Sequence, residues 1–364
     1  MTAAYPDFLQ ARCTRYRYRY SECRRCADAC PHDAIGLSDE GAGIDGARCQ
    51  NCGLCASACR TGAWSAGNVP RVELLKQAIK AAQWSFACAP SGAAADAIVP
   101  CLGALDATML AYLGKRGIPV ELRGSEHCAT CAHGARGAAQ MDAHLEAAAM
   151  LREASGETWA AVTVAAAAPE RRARADGFAP GRRQLFRRLV GRAATEVLHA
   201  AEPAVVSEPV PDKAIRAART FVTEQRELMQ IIARARERGC FLVREHEALP
   251  LMKLVLADGC TSCEACFRAC PTGALQVRET DTAWSLTFKL DCCVACETCL
   301  EVCKPGVLHP VPEFDVAPGA GEVALRVLNK QRCSRCDRAF VSPAPASMCG
   351  ICADDEDAFA AIYG

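Results

Sequence analysis

Aromatic residues are scarce, at 6% of 364 positions, and histidine occurs only seven times. So few rings and imidazoles argue against one large core and against a histidine-based catalytic centre. No Ser/His/Asp or paired-carboxylate constellation stands out, and no G-x-G-x-x-G string marks a nucleotide or flavin site. The formal net charge is zero, with 42 basic against 42 acidic residues. That balance removes the electrostatic case for a nucleic-acid partner. Its two basic runs, residues 12–19 and 171–188, are read as solvated or partner-facing surface. No apolar run approaches the length of a membrane span. Residues 1–10 have neither the basic nor the apolar region of a secretion leader, so the expected location is the cytoplasm.

What the chain does have is cysteine, 26 residues of it. A stretch reads Cys260-x2-Cys263-x2-Cys266-x3-Cys270-Pro271, then Cys293-x2-Cys296-x2-Cys299-x3-Cys303. Repeated matching spacings of this kind suit ligation of a metal cluster. They do not suit the disulfide framework of a secreted domain. The pattern recurs near the N-terminus. Cys49-x2-Cys52-x2-Cys55-x3-Cys59 is complete, but the run before it, Cys23-x2-Cys26-x3-Cys30-Pro31, has Tyr20 where a first cysteine belongs. Cys13 lies seven positions further upstream. The intervening alternation of Arg and Tyr reads as a short strand with two unlike faces. The tyrosines would shield a cluster from water or face a partner. After each Cys-Pro the sequence passes Ala34-Ile35-Gly36-Leu37 or Ala274-Leu275-Gln276-Val277, which marks an internal duplication.

These paired runs resemble bacterial dicluster ferredoxins, over roughly residues 10–65 and 255–310. The resemblance implies two 4Fe-4S clusters per unit, each taking three thiolates from one run and a fourth from the other. The implied sets are Cys260, Cys263, Cys266 and Cys303; then Cys293, Cys296, Cys299 and Cys270. In the N-terminal unit they are Cys13, Cys23, Cys26 and Cys59; then Cys49, Cys52, Cys55 and Cys30. Without Cys13, the altered site would be a three-cysteine one, either 3Fe-4S or a cube with an open iron. Asp28 and Asp33 are read as ordinary loop carboxylates.

Between the units, helical and apolar segments alternate. Helices are expected over 72–83, 106–116 and 135–154, with strands at 84–88, 97–101, 118–122 and 159–164. This order predicts a small parallel sheet with crossovers. Cys88, Cys101, Cys128 and Cys131 follow the ends of successive strands, the edge where such sheets bind ligands. A fifth iron–sulfur cluster, 2Fe-2S or 4Fe-4S, is the leading expectation. Structural zinc, a redox-active thiol pair and plain buried cysteines remain open. His127, beside Cys128, is read as a non-ligand. This middle region also loosely resembles small iron–sulfur subunits of hydrogenase and heterodisulfide reductase complexes, which implies transfer of electrons between protein partners.

Near the C-terminus, Cys333-x2-Cys336-x12-Cys349-x2-Cys352 pairs two CxxC knuckles, as in a tetrahedral thiolate site. Zinc, a single iron or a further cluster would fit. All cysteines except Cys240 and Cys292 fall in these sets. Cys240 is read as a small buried residue.

The expected fold class is thus α+β and α/β multidomain, with two ferredoxin-like dicluster modules flanking a small parallel-sheet α/β domain and a C-terminal four-cysteine zinc-ribbon-like knot. The expected divisions are 1–70 for the first module, 71–200 for the α/β domain, 201–212 for a Pro-rich linker and 213–250 for a helical segment. The second module takes 251–315, and the knot and tail 316–364. The expected function is a non-catalytic electron-transfer subunit of a multi-subunit oxidoreductase, with redox protein subunits as partners. A reductase with an unusual central cluster and an iron–sulfur assembly scaffold are the alternatives.

Overall fold

A computed structural model describes residues 5–165, 214–216, 220–234, 240–316 and 321–355. The 171–188 basic run and the Pro-rich linker lie outside the described residues.

The N-terminal unit is built from two short sheets. Asp7–Phe8 pairs antiparallel with Trp64–Ser65, and Ile35–Ser38 forms a hairpin with Gly41–Ile44. The Phe8 and Trp64 rings meet at 4.6 Å and close the unit around its ends. The unit starting near residue 254 repeats this plan. Leu254–Leu256 pairs with Leu308–Pro310, and Leu275–Glu279 forms a hairpin with Ala283–Lys289. In both units the outer strands bracket the cysteine runs and the hairpin lies between them. Each run ends in a helix of only four or five residues, such as Leu54–Ala58 and Ala265–Ala269. Helices this short are marginal alone, so packing must hold these turns.

The Arg/Tyr alternation does not form a strand. Thr14–Arg17 is a helical turn, with the Arg17 N–H donating to the Cys13 carbonyl at 3.1 Å. Only Tyr18 makes a β-bridge, to Ile215. The helical period directs Arg17 inward, where it is 2% exposed, so the basic run is not uniformly surface. Tyr16 and Tyr18 are half-buried, whereas Tyr20 is 64% exposed and faces outward.

The central sheet is parallel throughout, ordered 97–99, 84–88, 120–123 and 162–164. The helix Ala107–Lys115 starts at Asp106, whose carboxylate accepts from the N–H groups of Thr108 and Met109 at 3.1 and 3.2 Å. Such a cap contributes about 1 kcal/mol. Arg71 supports the same carboxylate at 2.8 Å. Leu110 and Leu113 are buried as expected. The preceding helix is shorter than its pattern, Arg71–Ala78, and buries Leu74, Leu75 and Ala78 while Val72 and Ile79 stay exposed. Its inward stripe is therefore set one position away from the one read in the sequence.

One apolar core runs from the central sheet through the helix Glu224–Ala233 into the second cysteine unit. The described part of residues 213–250 is not purely helical, because Leu242–Arg244 pairs with Glu313–Asp315. The strand Glu322–Arg332 pairs with Ala283–Lys289, and Ala339–Ser342 completes that four-stranded sheet. The C-terminal cysteine site thereby hangs from the second unit's own sheet.

Candidate metal centres

The three complete cysteine runs share one backbone device. Their third and fifth positions are left-handed: Asn51 and Gly53, Ser262 and Glu264, Ala295 and Glu297. Left-handed non-glycine residues cost on the order of 1 kcal/mol each. The bend turns N–H groups onto sulfur, with Asn51 donating to Cys49 Sγ at 3.4 Å and Ala295 to Cys293 Sγ at 3.5 Å. A second device follows the last cysteine of every run. The residue three positions later is left-handed in all four cases: Asp33, Gly62, Gly273 and Gly306. In the N-terminal unit the next N–H then donates back to sulfur, from Ala34 to Cys30 and from Ala63 to Cys59, both at 3.3 Å. The altered run lacks the first device. Arg24, at the fifth position, has φ −127°, because the chain arrives from Cys13 through a helical turn.

Four thiol groupings emerge from these turns. Burial pushes the Cys26 thiol up to about 12, and charge on Cys59, Cys23 and Cys13 adds to the effect. Burial likewise raises Cys52 to about 11, with Cys30 and Cys49 adding to it. Cys55 is raised by burial and by the neighbouring Cys52, Cys26, Cys49 and Cys30. In the second unit Cys266 rises to about 12, through burial and then Cys263, Cys303 and Cys260. Cys296 also rises to about 12, through burial and then Cys270 and Cys293. Cys299 is raised well above the usual thiol range by burial, and feels Cys296, Cys293, Cys270 and Cys266. Four crowded thiols that resist ionising together suit a cationic iron cluster, which supplies the missing positive charge. Cys260, Cys263, Cys266 and Cys303 line one shared pocket, so the four thiols face a common space.

The groupings are also neighbours of one another. Cys55 feels Cys26, and Cys299 feels Cys266, each linking the two groupings of one unit. Between the units, Arg25 and Arg60 share Glu297 at 2.7 and 3.0 Å, and Glu22 N–H donates to Glu301 at 3.1 Å.

In the central domain, Cys88 ends its strand, Cys101 follows the strand 97–99, and Cys128 and Cys131 lie in and just after the turn Ser125–Thr130. All four line one shared pocket together with His127 and His133. Burial pushes Cys101 up to about 12, with further effect from Cys52, Cys88 and Cys128. Cys52, Leu54 and Cys101 form one buried apolar cluster, so the central void abuts the N-terminal unit. His32 and His133 bridge the same seam at 3.1 Å. Nothing in the sequence pattern pairs those two histidines, because 101 residues separate them.

The donor atoms of Cys333, Cys336, Cys349 and Cys352 all lie within 4.8 Å of one another, a geometry able to hold a metal ion. The Cys349 N–H donates to Cys333 Sγ at 3.3 Å and is the first cause that lowers the Cys333 thiol below its ordinary value. A thiolate there meets the first need of metal ligation. The two unassigned cysteines differ. Cys240 is exposed, contrary to the expected burial, because it sits at the start of an edge segment. Cys292 is half-buried near Lys289 and Arg226. Asp33 bonds Arg136 at 3.1 Å and Asp28 bonds Arg24 at 3.4 Å, as ordinary loop carboxylates do.

Comparison with protein families agrees with this duplicated plan. Residues 21–63 match the 4Fe-4S dicluster domain and residues 255–276 match the 4Fe-4S binding domain. The chain therefore carries two separate 4Fe-4S domain signatures on either side of a mixed α/β region, with a four-cysteine metal site after them. A search of curated proteins gives no match. The matched domains support a general role in electron transfer. Among the described residues, no helix is long and apolar enough to cross a membrane.

Proposed function

We propose that the chain is an electron-relay subunit of a larger oxidoreductase, with five iron–sulfur clusters in one line and a structural zinc at its C-terminal site. Its ligand sets are Cys88, Cys101, Cys128 and Cys131; Cys30, Cys49, Cys52 and Cys55; Cys13, Cys23, Cys26 and Cys59; Cys270, Cys293, Cys296 and Cys299; and Cys260, Cys263, Cys266 and Cys303. Such clusters take up and release one electron each.

The observation that carries this reading is the continuity of the series. Cys101 adjoins Cys52, Cys55 adjoins Cys26, and Cys299 adjoins Cys266. The one gap without a thiol neighbour is spanned by Arg17 and Arg60, which sit in sequence beside the Cys13 set and reach Cys270 and Ala295. Exposure supports the same direction. Cys263 at one end is exposed, and Cys128 and Cys131 at the other are half-buried beside the buried Cys88 and Cys101; between the ends every set cysteine is buried or half-buried. A conduit needs accessible ends and an insulated middle.

A second reading, reduction of a small molecule at the central site, is favoured by one feature. The His127 ring lines the same pocket as the four thiols and meets the Thr130 hydroxyl at 3.4 Å. The two readings separate in a freeze-quench experiment on the full chain. Electrons supplied by an excited dye should spread over all sets, and Cys296→Ser should stop the spread at the middle of the line. Equal spreading in that variant would refute the relay order.

A further inference from the structure

Among the described residues, three arginines are buried: Arg17, Arg60 and Arg226, at 2%, 7% and 3% exposure. They come from three separate parts of the chain, yet all converge on one grouping. Arg17 Nη2 donates to the Cys270 carbonyl at 3.4 Å. Arg60 Nη1 donates to the carbonyl of Ala295, between Cys293 and Cys296. Arg226 donates to the carbonyls of Leu290 and Asp291 at 2.7 and 2.8 Å, just before Cys293. Buried guanidiniums are costly unless something negative repays them. The carboxylates at hand do not. Among the described residues Arg17 has none, and its Nε and Nη1 are buried without a partner there, as is Nε of Arg60. The carboxylates of Glu297 and Asp291, which face Arg60 and Arg226, are 41% and 59% exposed, so water screens them.

We propose that Arg17, Arg60 and Arg226 make the cluster held by Cys270, Cys293, Cys296 and Cys299 the first in the chain to accept an electron, a storage point in the middle of the line. The inference rests on the ligand sets proposed above. A cube with four thiolates is anionic, and a one-electron donor adds one electron and no atom to it. Each buried cation attracts that added charge with little screening. Burial alone would oppose reduction, since a low dielectric disfavours extra charge. Three fixed cations against one added charge reverse that balance. Arginine is suited to the task because it stays protonated even when buried. Among the described residues, no other set receives three buried arginines on the carbonyls of its own loops. Arg136, which reaches the Cys30 carbonyl, is 46% exposed and bonds Asp33 as well.

The test is an EPR-monitored reductive titration of the anaerobic full chain. Cys296→Ser identifies which signal belongs to this set, and that signal is expected to be the first to grow in the unmodified protein. Arg226→Gln and Arg17→Gln should each move its midpoint to lower potential and leave the other signals in place, with Arg→Lys retaining much of the original value. The inference fails if the signal removed by Cys296→Ser is one of the last to grow, or if the glutamine variants keep their iron and their midpoint. Should those variants lose iron, the order of growth in the unmodified chain decides by itself. Iron well below four cubes in the unmodified chain would instead refute the ligand sets, a separate failure.

Discussion

Cys52 and Cys101 lie in one buried cluster with Leu54, although one belongs to the N-terminal cysteine unit and the other to the central sheet. The contact depends on two glycines. A Cβ at Gly103 would stand 2.5 Å from the Gly137 carbonyl oxygen and 2.9 Å from Leu54 Cδ2, and one at Gly137 would stand 3.0 Å from Cys101 Sγ. The seam between the two domains is thus closed by the absence of two methyl groups.

Gly103→Ala tests that seam. The backbone oxygen cannot yield as a flexible side chain does, so a cost of about 1–3 kcal/mol is expected. Iron analysis should show loss of the central site with the N-terminal sites retained. Full retention of iron and unchanged thermal stability would mean that the seam is looser than the structure has it.

Cys13→Ala addresses the altered run. Cys13 is raised by burial and feels Cys59 and Cys23. Iron should fall by up to one cube, or a 3Fe-4S signal should appear, while the Cys49 set persists. An unchanged low-temperature EPR spectrum would remove Cys13 from the ligands.

The cysteine spacings pointed to the two 4Fe-4S domains because ligation by a tight loop is a local constraint. The central sheet was legible because its strands are short apolar runs, the first of which ends at Cys88. What the chain hid depends on distant partners. Arg60 looks like any loop arginine until residues 235 and 237 positions away turn out to receive it. The Arg/Tyr alternation suggested a strand, but Arg17 and the seam with Cys270 required a helical turn. Residues 322–332 carried no marker of their attachment, because their partners are the hairpin strand Ala283–Lys289.

His144 gives a pH prediction. It is buried in the helix Gly134–Ser155 with neither ring nitrogen bonded, and burial lowers its pKa to about 4 from 6.5. Between those values the unfolded chain takes a proton that the folded chain refuses. Stability therefore falls as pH drops from 6.5 towards 4, by up to about 3 kcal/mol. Hydrogen exchange of that helix should quicken from pH 7 to pH 5 beyond the intrinsic trend. His144→Leu should flatten the dependence. An unaltered dependence in the variant would assign it to other groups.

The C-terminal site gives a metal prediction. With four sulfur donors within 4.8 Å of one another, it should retain about one zinc per chain through purification. Cys349→Ser should release that zinc and loosen the strand Ala339–Ser342, with the iron content unchanged. Loss of iron along with zinc would show that the site belongs to the cluster series.

The most direct test of the relay is a joint count of iron, acid-labile sulfide and zinc in anaerobically purified full chain. The account predicts about 16 irons with matching sulfide from the four paired sets, two to four more from the central set, and about one zinc. Iron near eight with the same zinc would contradict it, because half of the line would then have no cluster to carry an electron.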